Sequence, residues 1–231
     1  MKKLTIIIPT FNEEDYLEKA LYSVKFADEI IVVDSFSTDK TEHIAKAYNC
    51  MFIQRKFDNF SNQKNYALKY ATSEWVLFLD ADERITYPLQ NEILEAINNS
   101  TYQGYKLSFP HFFMNRFLFN QSSSVIRLVV RDLCHFEGSV HEKLVVKGPI
   151  GGLKNPVLHY TYKGLEHYIR KKDNYAWFQA EQLLQKGKSL TFFQLIFKPF
   201  YRFFHSFFIR GGFRDGIPAL AIAGVNAYGV F

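Results

Sequence analysis

Four short runs near the start of the chain are apolar at almost every position instead of at alternate ones. They are Leu4 to Ile8, closed by Pro9; Glu29 to Val33, closed by Asp34; Met51 to Ile53; and Trp75 to Leu79, closed by Asp80. Strands that are apolar on both faces belong in a parallel sheet covered by helices on each side. Helical spacing fills the gaps, with Tyr16, Leu17, Ala20, Leu21 and Val24 first, then Ile44, Ala45 and Tyr48, then Tyr66, Ala67 and Tyr70. Thr10-Phe11-Asn12-Glu13 has the spacing of a capping box at the start of the first helix. The alternation predicts an α/β fold with a doubly wound, mostly parallel sheet and right-handed crossovers. Ligands of such sheets sit at the carboxyl ends of the strands, where Asp34 and Asp80 fall.

From about Gly104 the pattern changes to alternation, as at Tyr105, Leu107 and Phe109, with further strands expected over 125–131 and 143–147. Later, Phe193, Phe197, Phe200, Phe204 and Phe208 recur at helical spacing, while Gln194, Lys198, Arg202 and Ser206 recur on another face. Lys198, Arg202 and His205 interrupt this run, so it falls short of the roughly 20 apolar residues that span a bilayer. A basic, aromatic, amphipathic segment predicts a helix lying in the membrane interface, broken or kinked at Pro199. The competing reading packs that helix on the rest of the chain or on a second subunit. The expected organisation is one domain over 1–185, with halves at 1–100 and 101–185, and an amphipathic helical tail over 186–231.

Composition changes the picture in three places. The 231 residues are 48% hydrophobic, enough for a sizeable core, and the 24 phenylalanines are concentrated late in the chain. The formal charge of +5 suits an anionic partner: a nucleotide diphosphate, nucleic acid or an acidic membrane face. No basic block with a nucleic-acid-binding motif stands out, so nucleic acid is not expected as a partner. Cys50 and Cys134 lack metal-ligand spacing and read as reduced thiols. No signal peptide precedes the first strand, so the expected location is cytoplasmic, peripheral on the inner face of the cytoplasmic membrane.

The strongest chemical signal is Asp80-Ala81-Asp82-Glu83, directly after the fourth buried strand. Two carboxylates two residues apart at a strand end can face one hard cation, Mg²⁺ or Mn²⁺, which also binds phosphate oxygens. Asp34 opens a second cluster that runs through Ser35, Ser37, Thr38, Asp39 and Thr41. Its carboxylate can accept hydrogen bonds from a base or ribose, while one of Ser37, Thr38 and Asp39 caps the following helix. Arg127 and Arg131 can meet phosphate, or can simply lie on a solvated strand face.

Together these stretches resemble the family 2 glycosyltransferases. The matching segments are Ile7 to Glu13, Val33 to Thr41, Gln63 to Ala67 and Leu79 to Glu83, in the expected order. Val140-His141-Glu142 and the aromatic tail resemble, more narrowly, bacterial β-glucosyltransferases of the lipopolysaccharide inner core. The resemblance implies a GT-A, Rossmann-like fold and an inverting transfer from a nucleotide-sugar, with UDP-hexose as donor class, to a saccharide or glycolipid acceptor. It implies that Pro9, Thr10 and Glu13 line the nucleotide pocket and that Asp34 contacts the base. Lys64 and Asn65 would lie beside the nucleotide, Asp80 on the ribose or metal side, and Asp82 on the metal. Lys64 stands where many relatives have Arg, keeping the charge without the bidentate fork. The acidic pair that many relatives carry deep in the second half is missing here, and Glu142 is the best substitute as catalytic base. Its structural alternative is a salt bridge with Lys143 or Arg131. His159 would be a further metal ligand by the same resemblance, or an ordinary strand-end histidine.

No GxGxxG follows the first strand and no P-loop is present, which disfavours dinucleotide and P-loop chemistry. A nucleotidyltransferase and a non-catalytic, membrane-associated nucleotide-sugar-binding scaffold are the alternatives. The oligomeric state is left open, a homo-oligomer included.

Overall fold

The computed structural model describes residues 2–99, 101–138, 142–160, 165–185, 187 and 191–230. It divides into two compact units, residues 1–109 with 124–159, and residues 110–123 with 160–231. This division groups the long helix before residue 185 with the tail.

The first unit is built on the expected alternation. Strand β1 (Leu4–Thr10) is followed by α1 (Leu17–Ser23), β2 (Glu29–Asp34), α2 (Thr41–Ala47), β3 (Met51–Gln54), α3 (Phe60–Leu68) and β4 (Trp75–Phe78). Next come β5 (Glu83–Ile85), α4 (Tyr87–Asn98), β6 (Gly104–Phe113), β7 (Arg116–Val130), β8 (Cys134–Glu137), β9 (Lys143–Val146) and β10 (Ile150–His159). Eight strands form one sheet in the order β3-β2-β1-β4-β7-β6-β10-β5, and β8 pairs with β9 separately. The pairs β2–β3, β1–β2 and β1–β4 are parallel, while β4–β7 and β5–β10 are antiparallel. The sheet is therefore mixed, and its parallel character is carried by the four strands read from the apolar runs.

Those runs are apolar throughout because each face has its own core. Ile6, Ile8, Val32, Leu77 and Leu79 pack on one side with α1 and α4 residues such as Leu17, Leu21, Leu89 and Ile93. Ile7, Ile31, Val33, Val76 and Phe78 pack on the other with Ala67, Phe136 and Leu144. Burying a side chain of this size contributes roughly 1.5–3 kcal/mol, so both layers help fix the strand ends that carry the polar residues.

The capping box expected at Thr10 is not formed. Thr10 is the last residue of β1, its hydroxyl donates to Asp34 across the strand pair, and α1 begins only at Leu17 with no side-chain cap. The helix entry is made by backbone instead, with Tyr16 and Leu17 N–H donating to the Glu13 carbonyl. At α2 the N-cap is Lys40, with no side-chain cap, and Asp39, one of the three residues expected to cap, accepts the Thr41 N–H from the position before it.

The second unit holds the distal part of the β6–β7 hairpin, α5 (Leu165–Gln185), α6 (Phe192–Phe204), a π-helical segment His205–Ile209 and α7 (Ile217–Tyr228). Met114 and Asn115 both have positive φ, 50° and 57°, the two-residue turn that suits the twist of a hairpin. Its core is Phe113, Leu118, Tyr168, Ala219 and Ile222. Thr191 and Gln194 form a capping box that fixes the start of α6. Pro199 lies inside α6 without ending it. A proline removes one N–H and crowds the carbonyl four residues back, yet α6 runs through it unbroken to Phe204. Among the described residues no helix is long and apolar enough to cross a membrane.

Candidate active site

The carboxyl ends of β1, β2 and β4 lie side by side, and the loops that follow them are laced together. Asn12 N–H donates to Ser37 Oγ, Thr38 N–H to Asn12 Oδ1, Glu13 N–H to Thr41 Oγ1 and Glu14 N–H to Asp39, at 2.8–3.0 Å. Asn12 and Phe36 adopt positive φ at 55° and 61°, which leaves Phe11 and Phe36 exposed beside this rim.

Asp34 anchors the lacing. Its carboxylate is fully buried and accepts from Thr10 Oγ1, from the N–H and hydroxyl of Ser37, and from Gln54 Nε2. Thr10 is buried with it, while Pro9 and Glu13 are half-buried. Gln63, which the motif reading gave no role, is buried under the same loop and donates to the Val33 carbonyl and Ser35 Oγ. Asn65 uses both ends of its amide on the backbone of Phe136, 2.8 Å each way, so it fastens α3 to β8.

The acidic turn after β4 holds the densest charge. Lys64, only 3% exposed, places Nζ 2.7 Å from Glu142 Oε1 and 3.8 Å from Asp80 Oδ1. The ammonium also lies 5.3 Å above the Phe136 ring. Arg127 reaches the turn from β7, with Nη2 2.7 Å from Asp80 Oδ2 and 3.0 Å from Glu83 Oε1. The other oxygen of Glu83 accepts the Asp80 N–H at 2.8 Å, and Glu83 N–H donates to the Asp80 carbonyl at 3.0 Å. Arg84 braces the same turn by donating to the carbonyls of Ala81, Glu83 and Tyr16.

Burial works against the charge on Asp80, but Arg127 and then Lys64 outweigh it and hold the carboxyl well below the usual range. Glu83 has no exposure at all, and burial prevails over Arg127 to push it up to about 7. Two neighbouring carboxyls are thus driven apart, Asp80 down by its cations and Glu83 up by burial and by the charge of Asp80.

On the far side of the turn, Asp82 Oδ2 lies 3.1 Å from Nε2 of His159, at the end of β10. Burial lowers the His159 pKa, yet the hydrogen bond to Asp82 and the charges of Asp82, Glu83 and Asp80 together outweigh it and leave the imidazole raised. Asp82 and His159 offer one oxygen and one nitrogen donor at neighbouring positions. No group of three or more His, Cys, Asp or Glu able to hold a metal occurs among the described residues. Once the imidazole is deprotonated, the pair would supply two ligands to a divalent ion whose remaining positions are open to phosphate oxygens and water.

The structure therefore brings Lys64, Asp80, Asp82, Arg127, Glu142 and His159 into one cluster and adds Glu83 to it, while Gln63 supports the Asp34 loop. Arg131 lies elsewhere, paired with Asp132 and bonded to the Ala71 carbonyl. The partner of Glu142 is Lys64, and neither Lys143 nor Arg131. Val140 and His141, part of the narrower resemblance, lie outside the described residues.

The site is thus a mixed sheet of an α/β fold with Lys64 and Arg127 paired to carboxylates along the strand ends. Residues 5–154 match the family model for glycosyl transferase family 2, and the chain belongs to that family. Over its full length it is 30% identical to an uncharacterized glycosyltransferase of Rickettsia typhi, spanning 85% of that protein. It is 28% identical to the lipopolysaccharide core biosynthesis glycosyltransferase LpsC of Rhizobium meliloti, over 99% of this chain and 89% of LpsC. Among solved structures it is similar in fold to S. aureus TarS, with a TM-score of 0.50 and 20% identity over 93% of this chain and 46% of that one. The protein is a glycosyltransferase enzyme.

Proposed function

We propose that this chain is an inverting hexosyltransferase of GT-A type that takes its sugar from a UDP-hexose. The acceptor is a saccharide or lipid-linked saccharide in lipopolysaccharide or other surface-glycan assembly, a reading supported by the likeness to LpsC. The observation that carries the proposal is the convergence of Lys64, Asp80, Asp82, Arg127, Glu142 and His159 on one strand-end rim.

Pro9, Thr10 and Glu13 form the nucleotide wall. Asp34, closed off from solvent by its own partners, keeps that wall rigid, and Asn65 does the same for α3. Asp82 and His159 would hold Mg²⁺ or Mn²⁺, which when bound neutralises charge on the departing diphosphate. Lys64 is the cation poised for a donor phosphate, and Arg127 fixes the Asp80 turn from behind.

Glu142 is the base. Without donor its carboxylate is held by Lys64 at 2.7 Å. A diphosphate drawing on the same ammonium loosens that hold. Glu142 then accepts the proton of the acceptor hydroxyl as its oxygen attacks the anomeric carbon. The new glycosidic bond forms as the bond from that carbon to the diphosphate oxygen breaks, and the nucleotide diphosphate leaves with the electron pair.

A thermal-shift screen of UDP-, GDP- and dTDP-sugars with Mg²⁺ or Mn²⁺ tests this. Specific binding raises the unfolding temperature, and UDP-sugars with metal are expected to do so. No shift and no turnover with any donor would overturn the reading.

A further inference from the structure

The charge of this chain is unevenly placed. Residues 110–123 and 160–231 hold eleven Lys and Arg against four Asp and Glu, a net +7 in a chain whose total is +5, so the sheet unit is left at −2. The basic unit also exposes a run of phenylalanines along one helix. Along α6, Phe193, Phe197, Phe200 and Phe204 are each more than half exposed, at 65%, 53%, 73% and 55%. Phe193 stacks on Phe197 with ring centroids 4.0 Å apart, and Phe204 lies 4.9 Å from Phe208, so two ring pairs at helical spacing, with Phe200 between them in sequence, form an apolar ridge. An apolar ridge of this kind marks an interaction surface.

Lys198 and Arg202 are exposed on another face of α6 and Arg210 and Arg214 are exposed after it, and no carboxylate pairs with them among the described residues. Thr191 and Gln194 lock the start of α6, so the ridge is presented by a preformed helix. At 13 residues, α6 measures about 20 Å, too short to cross a hydrocarbon core of roughly 30 Å. Its geometry suits lying flat, with rings among acyl chains and cations at headgroup level.

We propose that this face docks on an anionic phospholipid bilayer, with the Phe193–Phe208 ridge inserted and Lys198 and Arg202 paired with lipid phosphates. A protein partner for so basic a face would need matching acidity, and the sheet unit of a second copy carries only −2. An anionic membrane supplies negative charge over its whole surface. The inference stands independently of the donor chemistry.

Vesicle flotation of the full chain tests it. Vesicles of phosphatidylcholine with phosphatidylglycerol should capture the protein, pure phosphatidylcholine should not, and high salt should release it. Phe197→Asp with Phe204→Asp, and separately Lys198→Glu with Arg202→Glu, should each weaken capture roughly tenfold or more. Their thermal unfolding should match that of the wild type. If a variant fails to fold, the lipid and salt dependence of the wild type still decides. Equal capture by both vesicles, or by neither, overturns the proposal. So does a stable dimer in solution that the phenylalanine variants dissociate, since the ridge is then an interface between copies.

Discussion

Lys64 Nζ and Glu142 Oε1 lie 2.7 Å apart, although 78 residues separate them in the chain. The ammonium is almost completely buried, whereas the carboxylate is 29% exposed, so Glu142 is the end of the pair that solvent and acceptor can reach. If the pair is a donor-released hold on the base, its two ends should fail differently. Glu142→Gln should keep donor affinity and lower kcat by roughly 10²–10⁴-fold. Lys64→Met should weaken donor binding. Calorimetric titration with UDP-sugar beside a transfer assay separates the two; near-normal kcat in Glu142→Gln removes it as base.

Local sequence could not show that pair, because α3 and the segment before β9 are joined only by the fold. It did show β1, β2 and β4, since residues such as Ile6 and Ile7 face opposite cores and leave an unbroken apolar run. The same logic placed Asp34 and Asp80 at the rim. Thr10 misled for a related reason: its spacing to Glu13 fits a local cap, but a partner on the neighbouring strand took its hydroxyl. The β6–β7 hairpin was only partly visible. Phe112, Phe113, Phe117, Leu118 and Phe119 show no alternation, and of the turn pair only Asn115 is a residue that readily takes positive φ. Glu83 stood in plain view within Asp80-Ala81-Asp82-Glu83, but its burial, which gives it its role, depends on Arg127 arriving from β7.

Asp82 and His159 should act together on metal. Asp82→Ala and His159→Ala should each abolish the Mn²⁺-dependent gain in donor affinity. The double variant should be no worse than the more damaging single one, because one ion links them. Titration of UDP with and without Mn²⁺ reads this directly. An unchanged metal dependence in Asp82→Ala removes it as a ligand.

Arg127 and Glu83 form a buried pair whose halves depend on each other. Arg127→Met leaves the fully buried Glu83 carboxyl, already pushed up to about 7, without its hydrogen-bonding cation and should destabilise the protein by roughly 1–3 kcal/mol. Adding Glu83→Gln removes the titratable carboxyl and should restore part of the loss. Urea unfolding of the wild type, both single variants and the double variant measures the coupling; strictly additive effects would contradict it.

Glu92 on α4 fixes the strand that ends in His159. Its carboxylate accepts from Lys154 N–H at 2.6 Å, Asn155 N–H at 2.9 Å and Asn155 Nδ2 at 2.8 Å. Burial raises its pKa, but these bonds outweigh that and leave it lowered. A lowered carboxyl stabilises the fold above its unfolded pKa and loses that stabilisation as pH falls through its folded pKa. Glu92→Gln should therefore cost about 1–3 kcal/mol near neutral pH and progressively less in acid. Unfolding curves at several pH values check the sign, and a gap that widens in acid would contradict it.

The most direct measurement is anomalous diffraction from crystals grown with Mn²⁺ and a UDP-sugar. The account predicts a manganese peak bound by Asp82 and His159 and by the diphosphate, with Lys64 turned from Glu142 toward a phosphate oxygen. A nucleotide bound away from this rim, or a metal that touches neither Asp82 nor His159, would contradict it.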